Sequence, residues 1–358
     1  MHIEKAAYAF KLNGEPVSCE NYGHGHINST LKIDTDAGAE YILQRINKYV
    51  FKDPARLMGN IAAVTEYLRE RVSDPRMALH FIRTHDGHYY HVDEHGEYWR
   101  MYDFVGGFCM DMPESGEDFY QSALAFGRFQ SLLAEFPADT LYEVIPEFHN
   151  TIDRYKKFKE VLAKDPCGRL AGVQAEVDFY LEREELGGTL QRMRESGELP
   201  LRVTHNDTKL NNVLLDRKTR KSLCVLDLDT VMPGLSLYDF GDSIRFGAAT
   251  AEEDEKDLSK MSMDLGMFEI YTRGYMEACP TLTDKEVQML PMGALLMTLE
   301  CGLRFLTDYI DGDHYFRTAY ADHNLVRART QMKLVADMQS KWDEMNRIVA
   351  DVARQVRG

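Results

Sequence analysis

The chain has 358 residues, 44% of them hydrophobic and 28% charged, which is typical of a soluble globular protein long enough for two domains. Its 58 acidic and 42 basic residues give a formal net charge of −16, which argues against a nucleic acid or an anionic membrane as a partner. The six cysteines lack CxxC spacing, which predicts a protein without a disulfide or zinc framework. The N-terminus has no apolar signal segment, and no run approaches the roughly 18 apolar residues of a membrane span, so we expect a cytoplasmic protein.

The first hundred residues show the pattern of short strands joined by turns. Apolar runs on either side of Asp36-Ala37-Gly38 predict a β-hairpin over 29–47. Apolar residues at helical spacing then predict a helix over 54–72, and three more short strands are predicted within 80–107. This part of the chain therefore predicts a small β-rich lobe that ends at a hinge near 101–107.

Most of the remaining chain shows helical periodicity. Phe119, Phe126 and Phe129 belong to an apolar stripe that predicts a helix over 118–136. The final stretch, 326–356, predicts one long amphipathic helix. The sequence therefore predicts an α+β protein with a β-rich N-terminal lobe over 1–104 and a larger helical lobe over 105–358.

Strands return within the second half at "VTHNDTKLNNVLLD", residues 203–216. A polar turn and a second strand follow, so antiparallel pairing makes the numbers of paired residues sum to about 438. Asn212 then faces Leu226 and lies beside Asp227 at the open end of the hairpin, and Asp207 lies in the loop that feeds this end. Carboxylate and amide oxygens suit Mg²⁺, and H-x-D-x-x-x-x-N followed by an aspartate 20 residues after the first matches the phosphoryl-transfer template of protein-kinase-like enzymes.

The same segment resembles the aminoglycoside phosphotransferase and choline kinase superfamily, which has the protein-kinase-like bilobal fold. The resemblance implies that Asp207 is the catalytic base that orients the acceptor hydroxyl. It implies that Asn212 and Asp227 bind the metal and that His205 anchors the loop, although a packed, satisfied histidine is also an ordinary core feature.

Further charged residues near the motif have two interpretations each. Lys209 matches the kinase loop lysine near the transferred phosphate, or it faces solvent. Asp229 points to the same strand face as Asp227 and is a second metal ligand or a solvated turn carboxylate. The literal DFG at Asp239 follows a Pro-Gly break and cannot end the hairpin strand, so the resemblance implies that Asp239 braces the catalytic loop. Asp242 and Arg245 form a helix-surface pair or line the acceptor pocket.

The nucleotide-binding half of the site is less clearly marked. Gly23 and Gly25 lie between early strands, where a glycine-rich loop can cover phosphates, although such glycines often mark only a turn. The absence of GxxxxGK[ST] disfavours a Walker-type nucleotide site. In "YILQRIN", Gln44 stands where the kinase template has its phosphate-binding lysine, and Arg45 points to the opposite face, so the replacement for this lysine is left open.

Two further nucleotide contacts follow from the kinase template. "RMYDFVGG" resembles the hinge, where the backbone from Tyr102 to Phe104 would bond adenine. Glu66 is the candidate for the helix glutamate that pairs with the lysine.

The acceptor is suggested by segments spread over most of the chain. These segments are similar, in order and spacing, to the N-acetylhexosamine 1-kinase family: "GHGHINST", "YILQRIN", "RVTHNDTKLNN", "DLDTVMPG", "DFGDSIRFGA", "EEDEKDLSK", "LECGLRFLTDY" and "HNLVR". The resemblance implies phosphorylation of the anomeric hydroxyl of GlcNAc or GalNAc with ATP and Mg²⁺, without a covalent enzyme intermediate. It also implies that His26 and Tyr315 contact the sugar, although either could be ordinary packing.

An apolar helix near the end of the chain carries Glu300, Arg304 and Asp308, spaced four residues apart. One stripe of charge on a buried helix is a ladder of ion pairs or a clamp for sugar hydroxyls, which need paired donors and acceptors.

Other acceptors and a non-enzymatic role are the alternatives. A choline or ethanolamine kinase needs an aromatic cage, and neither Trp99 nor Trp342 falls near the motifs. An aminoglycoside kinase needs an acidic pocket, which the net charge permits. A catalytically dead nucleotide-binding module is disfavoured because Asp207, Asn212 and Asp227 are all present. The expected partners are therefore ATP and a small-molecule sugar.

Overall fold

A computed structural model of the protein describes residues 3–23 and 28–358. The chain forms two compact units, each built from three segments. The first unit comprises Met1–Cys109, Glu135–Pro146 and Asn212–Pro233; the second comprises Met110–Ala134, Glu147–Asn211 and Gly234–Gly358. The predicted lobes were two continuous segments, whereas the hairpin that carries Asn212 and Asp227 belongs to the first unit.

The first unit is built on a five-stranded antiparallel sheet. In chain order its strands are β1 (Pro16–Asn21), β2 (Ser29–Thr35), β3 (Glu40–Ile46), β4 (His91–Val92) and β5 (Tyr98–Asp103), and their order in the sheet is β1-β2-β3-β5-β4. The predicted hairpin over 29–47 is confirmed as β2 and β3, which turn at Gly38 with its positive φ of 77°.

The prediction of three strands within 80–107 is wrong for the first of them. Instead of a strand, this stretch makes two isolated bridges, from Phe81 to Tyr102 and from Thr84 to Phe10. The Thr84 hydroxyl donates to the His88 carbonyl and accepts from the His88 N–H, which closes a tight turn. The turn uses backbone groups that a longer ladder would need.

One helix and a second hairpin complete the first unit. Helix α1 (Pro54–Arg69) begins where the Asp53 side chain accepts from the Arg56 N–H, and it buries the predicted apolar face. The later hairpin pairs β7 (Val213–Leu215) with β8 (Ser222–Val225). Its pairs Val213↔Val225 and Leu214↔Cys224 both sum to the predicted 438, so the register is confirmed. Strand β9 (Met232–Gly234) follows along the chain.

The second unit is mainly helical, as predicted. Its elements are β6 (Arg202–Thr204) and the helices α2 (Gly116–Leu132), α3 (Thr151–Lys164), α4 (Gln174–Leu181), α5 (Glu184–Gly187), α6 (Thr189–Glu195), α7 (Ser236–Gly247), α8 (Leu265–Ala278), α9 (Asp284–Gln288), α10 (Leu290–Asp311), α11 (His323–Ser340) and α12 (Trp342–Arg357). The core helix α10 packs on α3, α7 and α11, and α2 packs on α8.

Helix α10 corrects the expectation that no segment resembles a membrane span. Its 22 residues are long and apolar enough to cross a bilayer by length and composition. However, 83% of its most apolar window is buried within the protein, as in the core helix of a globular domain. Gly293 and Gly302 permit this close packing, because a Cβ atom at either position would collide with Leu237 or Tyr180.

The predicted long C-terminal helix is two helices. The chain breaks at Lys341, with φ −103° and ψ 13°, between α11 and α12. The Lys341 ammonium group donates to the Ser262 hydroxyl at 2.7 Å and to the Met263 carbonyl at 2.9 Å. Helix α11 then packs on α10 while α12 packs on α8, so one apolar stripe serves two different surfaces.

Candidate active site

The backbone of the loop before Asp207 is fixed by a buried carboxylate. Asp239, at the start of α7, is fully buried and accepts from the N–H groups of His205 at 3.0 Å and Asn206 at 2.8 Å. The Gln130 amide also donates to Asp239, at 2.7 Å. Burial raises the pKa of Asp239, although these donors favour its ionised form. The aspartate of the literal DFG therefore braces the loop, as the resemblance implied.

His205 orients the backbone of the candidate base. Its ring is fully buried between the edges of Phe126 and Phe129, with ring centroids 5.5 and 6.1 Å away. The Asp207 N–H donates to His205 Nδ1 at 3.3 Å. His205 is therefore a packed anchor, in agreement with both of its predicted interpretations.

Asp207 and Lys209 form an ion pair, with Lys209 Nζ 2.8 Å from Asp207 Oδ1. Burial of the ammonium opposes protonation, but the carboxylates of Asp207 and Asp242 outweigh it and raise the pKa of Lys209 to about 12. Lys209 is therefore a permanent cation beside the candidate base, rather than a lysine that only faces solvent. The Asp207 side chain keeps 31% of its surface exposed, so a ligand can reach it.

Asp242 and Arg245 are buried, so the interpretation as a helix-surface pair is wrong. Arg245 donates to Asp242 Oδ1 at 2.9 Å and to Glu253 at 2.7 Å. The other Asp242 oxygen accepts from the Thr208 N–H at 3.1 Å. Burial alone would raise the pKa of Asp242, but Arg245 and Lys209 reverse this effect and lower it. These contacts hold the residue between Asp207 and Lys209, and the role in acceptor binding stays a prediction.

The candidate metal ligands lie at the open end of the β7–β8 hairpin in the first unit. The Leu226 N–H donates to the Asn212 carbonyl at 2.8 Å, which continues the ladder up to Asp227. Asp227 adopts the left-handed conformation, with φ 52° and ψ 62°, which is uncommon for a residue other than glycine. Asn212 and Asp227 are thus on neighbouring ends of one ladder, and their metal role stays a prediction.

The donor chemistry of this pair fits Mg²⁺. In residues 3–23 and 28–358, no group of three or more His, Cys, Asp or Glu residues is arranged to hold a metal. Mg²⁺ in phosphoryl-transfer enzymes is usually bound by one or two carboxylates together with substrate phosphates, not by an all-protein cage. One amide and one carboxylate therefore suffice if a nucleotide supplies the other oxygens.

Asp229 is buried and fully engaged, so it is not a solvated turn carboxylate. Its Oδ1 pairs with the guanidinium of Arg100, and its Oδ2 accepts from Asn28 Nδ2 at 2.6 Å. Arg100 and Asp229 are 2% and 3% exposed. The sequence analysis did not predict this pair, and the metal role of Asp229 stays a prediction.

The predicted phosphate-binding residues belong to the first unit. Gly23 has a positive φ of 75°, whereas Gly25 and His26 lie outside the described residues. Gln44 donates to the Thr30 hydroxyl at 3.0 Å and accepts from Arg100 Nε at 3.0 Å. Gln44 therefore orients a neighbouring arginine.

Glu66 does not occupy the position of a helix glutamate that pairs with a strand cation. It contacts Arg83 and the Tyr89 hydroxyl and remains about half exposed. Its interaction partners are thus on the surface of the first unit.

The predicted hinge lies at the end of β5, where some backbone N–H groups already have partners. The Asp103 N–H donates to the His80 carbonyl and the Phe104 N–H to the Glu40 carbonyl, both at 3.0 Å. Among the described residues, the N–H groups over 105–107 have no such backbone partner. The contact of the Tyr102–Phe104 backbone with adenine stays a prediction.

The charged residues of α10 do not form the ion-pair ladder. Glu300 lies 2.8 Å from His149 Nδ1 and accepts from the Thr151 hydroxyl at 2.7 Å. His149 Nε2 lies 3.4 Å from the Asn206 carbonyl, so these contacts connect α10 to the loop before Asp207. Burial would raise the pKa of Glu300, but His149 outweighs it and lowers the pKa.

Asp308 organises the segment that carries Tyr315. Its carboxylate accepts from the N–H groups of His314, Tyr315 and Phe316 at 2.8 to 2.9 Å. Asn324 donates to the same carboxylate at 2.9 Å. Asp308 is therefore a structural residue, and the exposed ring of Tyr315 projects from the segment that it fixes.

Arg304 lies within a cluster of aromatic rings. Its guanidinium carbon is 5.3 to 5.4 Å from the ring centroids of Phe148, Tyr315 and Phe316. Its Nη2 donates to the Tyr315 hydroxyl at 3.2 Å. Cation–π contact with three rings holds the charge of Arg304 in place.

Arg154 adds a second positive charge to this cluster. It donates to the Phe148 carbonyl at 2.6 Å, and its buried Nε has no hydrogen-bond partner within the described structure. Burial lowers the pKa of Arg154, and Arg304 lowers it further. In the described parts of the chain, neither arginine has a carboxylate within 4.0 Å, because both Glu300 oxygens already have other partners.

Sequence reasoning missed Arg100, His149 and Arg154. None belongs to a recognisable motif. A cue for Arg100 was its presence in the strand sequence "YWRMY", where a buried arginine needs a specific partner. His149 and Arg154 are near the start of α3, and only their three-dimensional contacts with α10 indicate a role.

Comparisons with known proteins identify the family and find the same fold in solved structures. A sequence model of the phosphotransferase enzyme family (APH) matches residues 18–260. A microcompartment-associated aminopropanol kinase has a similar fold, with a TM-score of 0.67 at 18% identity over 96% of this chain and 97% of that one. The amicoumacin kinase hAmiN, solved with AMP-PNP, Ca²⁺ and Ami, gives 0.61 at 14% over 94% and 92%. The Plasmodium vivax ethanolamine kinase gives 0.54 at 13% over 88% and 82%.

Proposed function

The chain belongs to the phosphotransferase enzyme family, and on that premise we propose that it is an ATP-dependent small-molecule kinase acting on the anomeric hydroxyl of an N-acetylhexosamine. GlcNAc and GalNAc are the two acceptors that the sequence resemblance supports. The products are ADP and the sugar 1-phosphate.

The aromatic cluster around Arg304 is the observation that favours a neutral acceptor over an ammonium compound. Kinases for choline or other ammonium compounds need aromatic faces to bind the substrate cation. In this chain the rings of Phe148, Tyr315 and Phe316 already surround the protein's own guanidinium. Two unit charges about 6 Å apart repel by roughly 3 kcal/mol at an effective dielectric constant near 20, a factor of about 100 in affinity. A neutral acceptor with carbonyl and hydroxyl oxygens suits these donors better.

The second unit also connects this cluster to the candidate base. Glu300, one helical turn before Arg304, contacts His149, and His149 approaches the carbonyl of Asn206, directly before Asp207. Arg304 would then bind sugar oxygens remote from O1 while Asp207 orients the O1 hydroxyl, and Glu300 would hold the loop before Asp207 through His149. Such positioning supplies much of the rate when the reacting atoms are aligned.

The chemical step needs orientation and charge neutralisation more than a strong base. The anomeric oxygen attacks the γ-phosphorus, the bond from that phosphorus to the bridging oxygen of ADP breaks, and the hydroxyl proton passes to Asp207. The transition state is loose, so little bond formation precedes bond breaking. Lys209, held as a cation beside Asp207, stabilises negative charge on the transferred group.

Asn212 and Asp227 would hold the magnesium ion that accompanies ATP. When bound, the ion neutralises charge on the β- and γ-phosphates. Their location on adjacent ends of the β7–β8 ladder supports this assignment.

An ADP-release assay with ATP and Mg²⁺ tests the acceptor class. The panel contains GlcNAc, GalNAc, glucose, galactose, choline, ethanolamine, aminopropanol and kanamycin. We expect kcat/KM for an N-acetylhexosamine to exceed that for every ammonium compound by about 100-fold or more, following the repulsion above. Phosphorus–proton NMR should show coupling to H1 of the product. Preference for an ammonium acceptor, or coupling to H6, would contradict the proposal.

A further inference from the structure

Arg100 and Gln44 are direct partners across strands β5 and β3. Cross-strand partners point their side chains to the same face of a sheet. Arg45, the next residue of β3, points to the other face and is exposed near Trp99. Arg100 is therefore the cation that lies next to the position where the kinase template has its phosphate-binding lysine.

The guanidinium of Arg100 is held on two sides. Its Nε donates to Gln44 Oε1 at 3.0 Å, and its Nη1 pairs with Asp229. Arg100 and Asp229 are both almost fully buried, and a buried charge is costly unless it is paired, so the two partners specify where this cation lies.

The partners of Arg100 lead to the two segments expected to surround the phosphates. Asp229 follows Asp227 by two residues, and its second oxygen accepts from Asn28. Asn28 directly follows the glycine-containing loop, and its own Oδ1 accepts from the Asn47 N–H at 3.0 Å. The charged pair thus contacts Asn28 and includes the residue two positions after the candidate metal ligand.

We propose that Arg100 contacts the phosphates of ATP in place of the strand lysine, with Asp229 as its counter-ion in place of a helix glutamate. The inference rests on the proposed function in taking ATP as the nucleotide, but it is independent of the acceptor. Asp229 is then a positioning residue for Arg100. Glu66, on α1, contacts Arg83 and Tyr89 instead.

Calorimetry with the full chain separates a phosphate contact from a structural role. We compare AMP-PNP, which has the phosphates, with adenosine, which lacks them, in the presence of Mg²⁺. A charge-assisted hydrogen bond predicts that Arg100→Gln weakens AMP-PNP binding about 10- to 100-fold and leaves adenosine affinity within about 2-fold. Arg100→Lys should retain more AMP-PNP affinity than Arg100→Gln. The matched control Arg45→Gln removes the same charge from the opposite face and should leave both affinities unchanged.

A second test places the positive charge at position 44 on β3 instead of at position 100 on β5. The double variant Gln44→Lys with Arg100→Gln should recover at least about 5-fold of the lost AMP-PNP affinity, because a charge-assisted contact is restored from the adjacent position. If Arg100→Gln fails to fold, Arg100→Gln with Asp229→Asn removes both buried charges and permits the same measurement.

The outcomes distinguish this inference from the proposed function. Equal losses for adenosine and AMP-PNP, or an AMP-PNP affinity within about 2-fold of wild type, would show that Arg100 does not touch the phosphates. Failure of the wild-type protein to bind AMP-PNP would instead overturn the proposed kinase function, and this inference with it.

Discussion

Asp207 is positioned by residues on either side of it in the chain. The N–H groups of His205 and Asn206 bond Asp239, and the Thr208 N–H bonds Asp242. These backbone bonds remain in place when the Asp207 side chain is substituted.

Asp207→Asn should therefore abolish turnover while the protein still folds and binds nucleotide. We expect kcat to fall about 10²- to 10⁴-fold, because the amide cannot accept the acceptor's proton. Steady-state kinetics and AMP-PNP calorimetry check the two parts. A variant with near-normal kcat would remove Asp207 from the reaction.

Asp227 and Asp239 should respond differently to the same substitution. Asp227→Ala should abolish the Mg²⁺ dependence of AMP-PNP binding, since it removes a proposed ligand. Asp239→Ala leaves two backbone N–H groups and the Gln130 amide without their acceptor, and each unsatisfied buried donor costs about 1–3 kcal/mol. Chemical denaturation should detect this loss. Reversed results would mean that the two aspartates have exchanged roles.

At the scale of elements, α10 combines the properties of a core helix with a polar stripe. Glu300, Arg304 and Asp308 lie on successive turns, yet each has a separate set of partners. Glu300 contacts the catalytic loop through His149, Arg304 lies in the aromatic cluster, and Asp308 fixes the segment of Tyr315. The helix therefore connects the loop before Asp207 with the segment that carries Tyr315.

Arg304→Gln should raise the KM for the N-acetylhexosamine about 10- to 100-fold and leave the KM for ATP within about 2-fold, as expected for the loss of a charge-assisted contact. Discrimination against choline should weaken in the same variant. Arg347→Gln, on the exposed side of α12 with 65% of its side chain accessible, is the matched control. An unchanged sugar KM would exclude Arg304 from the acceptor site.

Sequence patterns predicted those elements whose contacts are formed between residues close together in the chain. The β7–β8 register followed from strand pairing, whereas the bracing role of Asp239 was implied by the resemblance to the kinase superfamily. The Arg100–Asp229 pair spans 129 positions and the His149–Glu300 contact spans 151, so no local pattern could indicate them. The break at Lys341 was missed for a similar reason, because it depends on Ser262 and Met263 from a distant segment.

At the scale of the whole molecule, acid should unfold the protein through its buried carboxylates. Charged partners hold the pKa values of Asp242, Glu286 and Glu300 below their usual range, despite burial. A lowered folded pKa stabilises the fold fully above the unfolded value, near 4, and this stabilisation is lost as the pH falls through the folded value. The free energy of unfolding from urea titrations should therefore decline below about pH 4.5.

Glu286 permits a direct test of this linkage. It is 1% exposed and bonds Arg202, the Ser236 hydroxyl and the Thr283 N–H. Glu286→Gln should lower the free energy of unfolding at pH 7 by about 1.5–3 kcal/mol and make its decline below pH 4.5 shallower. Glu344→Gln, half exposed on α12, should change it by less than about 1 kcal/mol. Equal effects of the two substitutions would contradict the linkage.

The first unit is built from segments that lie far apart in the chain, which affects how it folds during synthesis. The ribosome releases its five-stranded sheet long before Asn212–Pro233, the segment that supplies Asp229. Until then the nascent sheet contains Arg100 without its counter-charge, and burying an unpaired guanidinium is strongly unfavourable. Residues 1–109 should therefore stay incompletely folded on the ribosome until translation has passed Pro233. The ion pair that we assign to ATP binding thus also sets the earliest point at which the nucleotide-binding unit can be completed during synthesis.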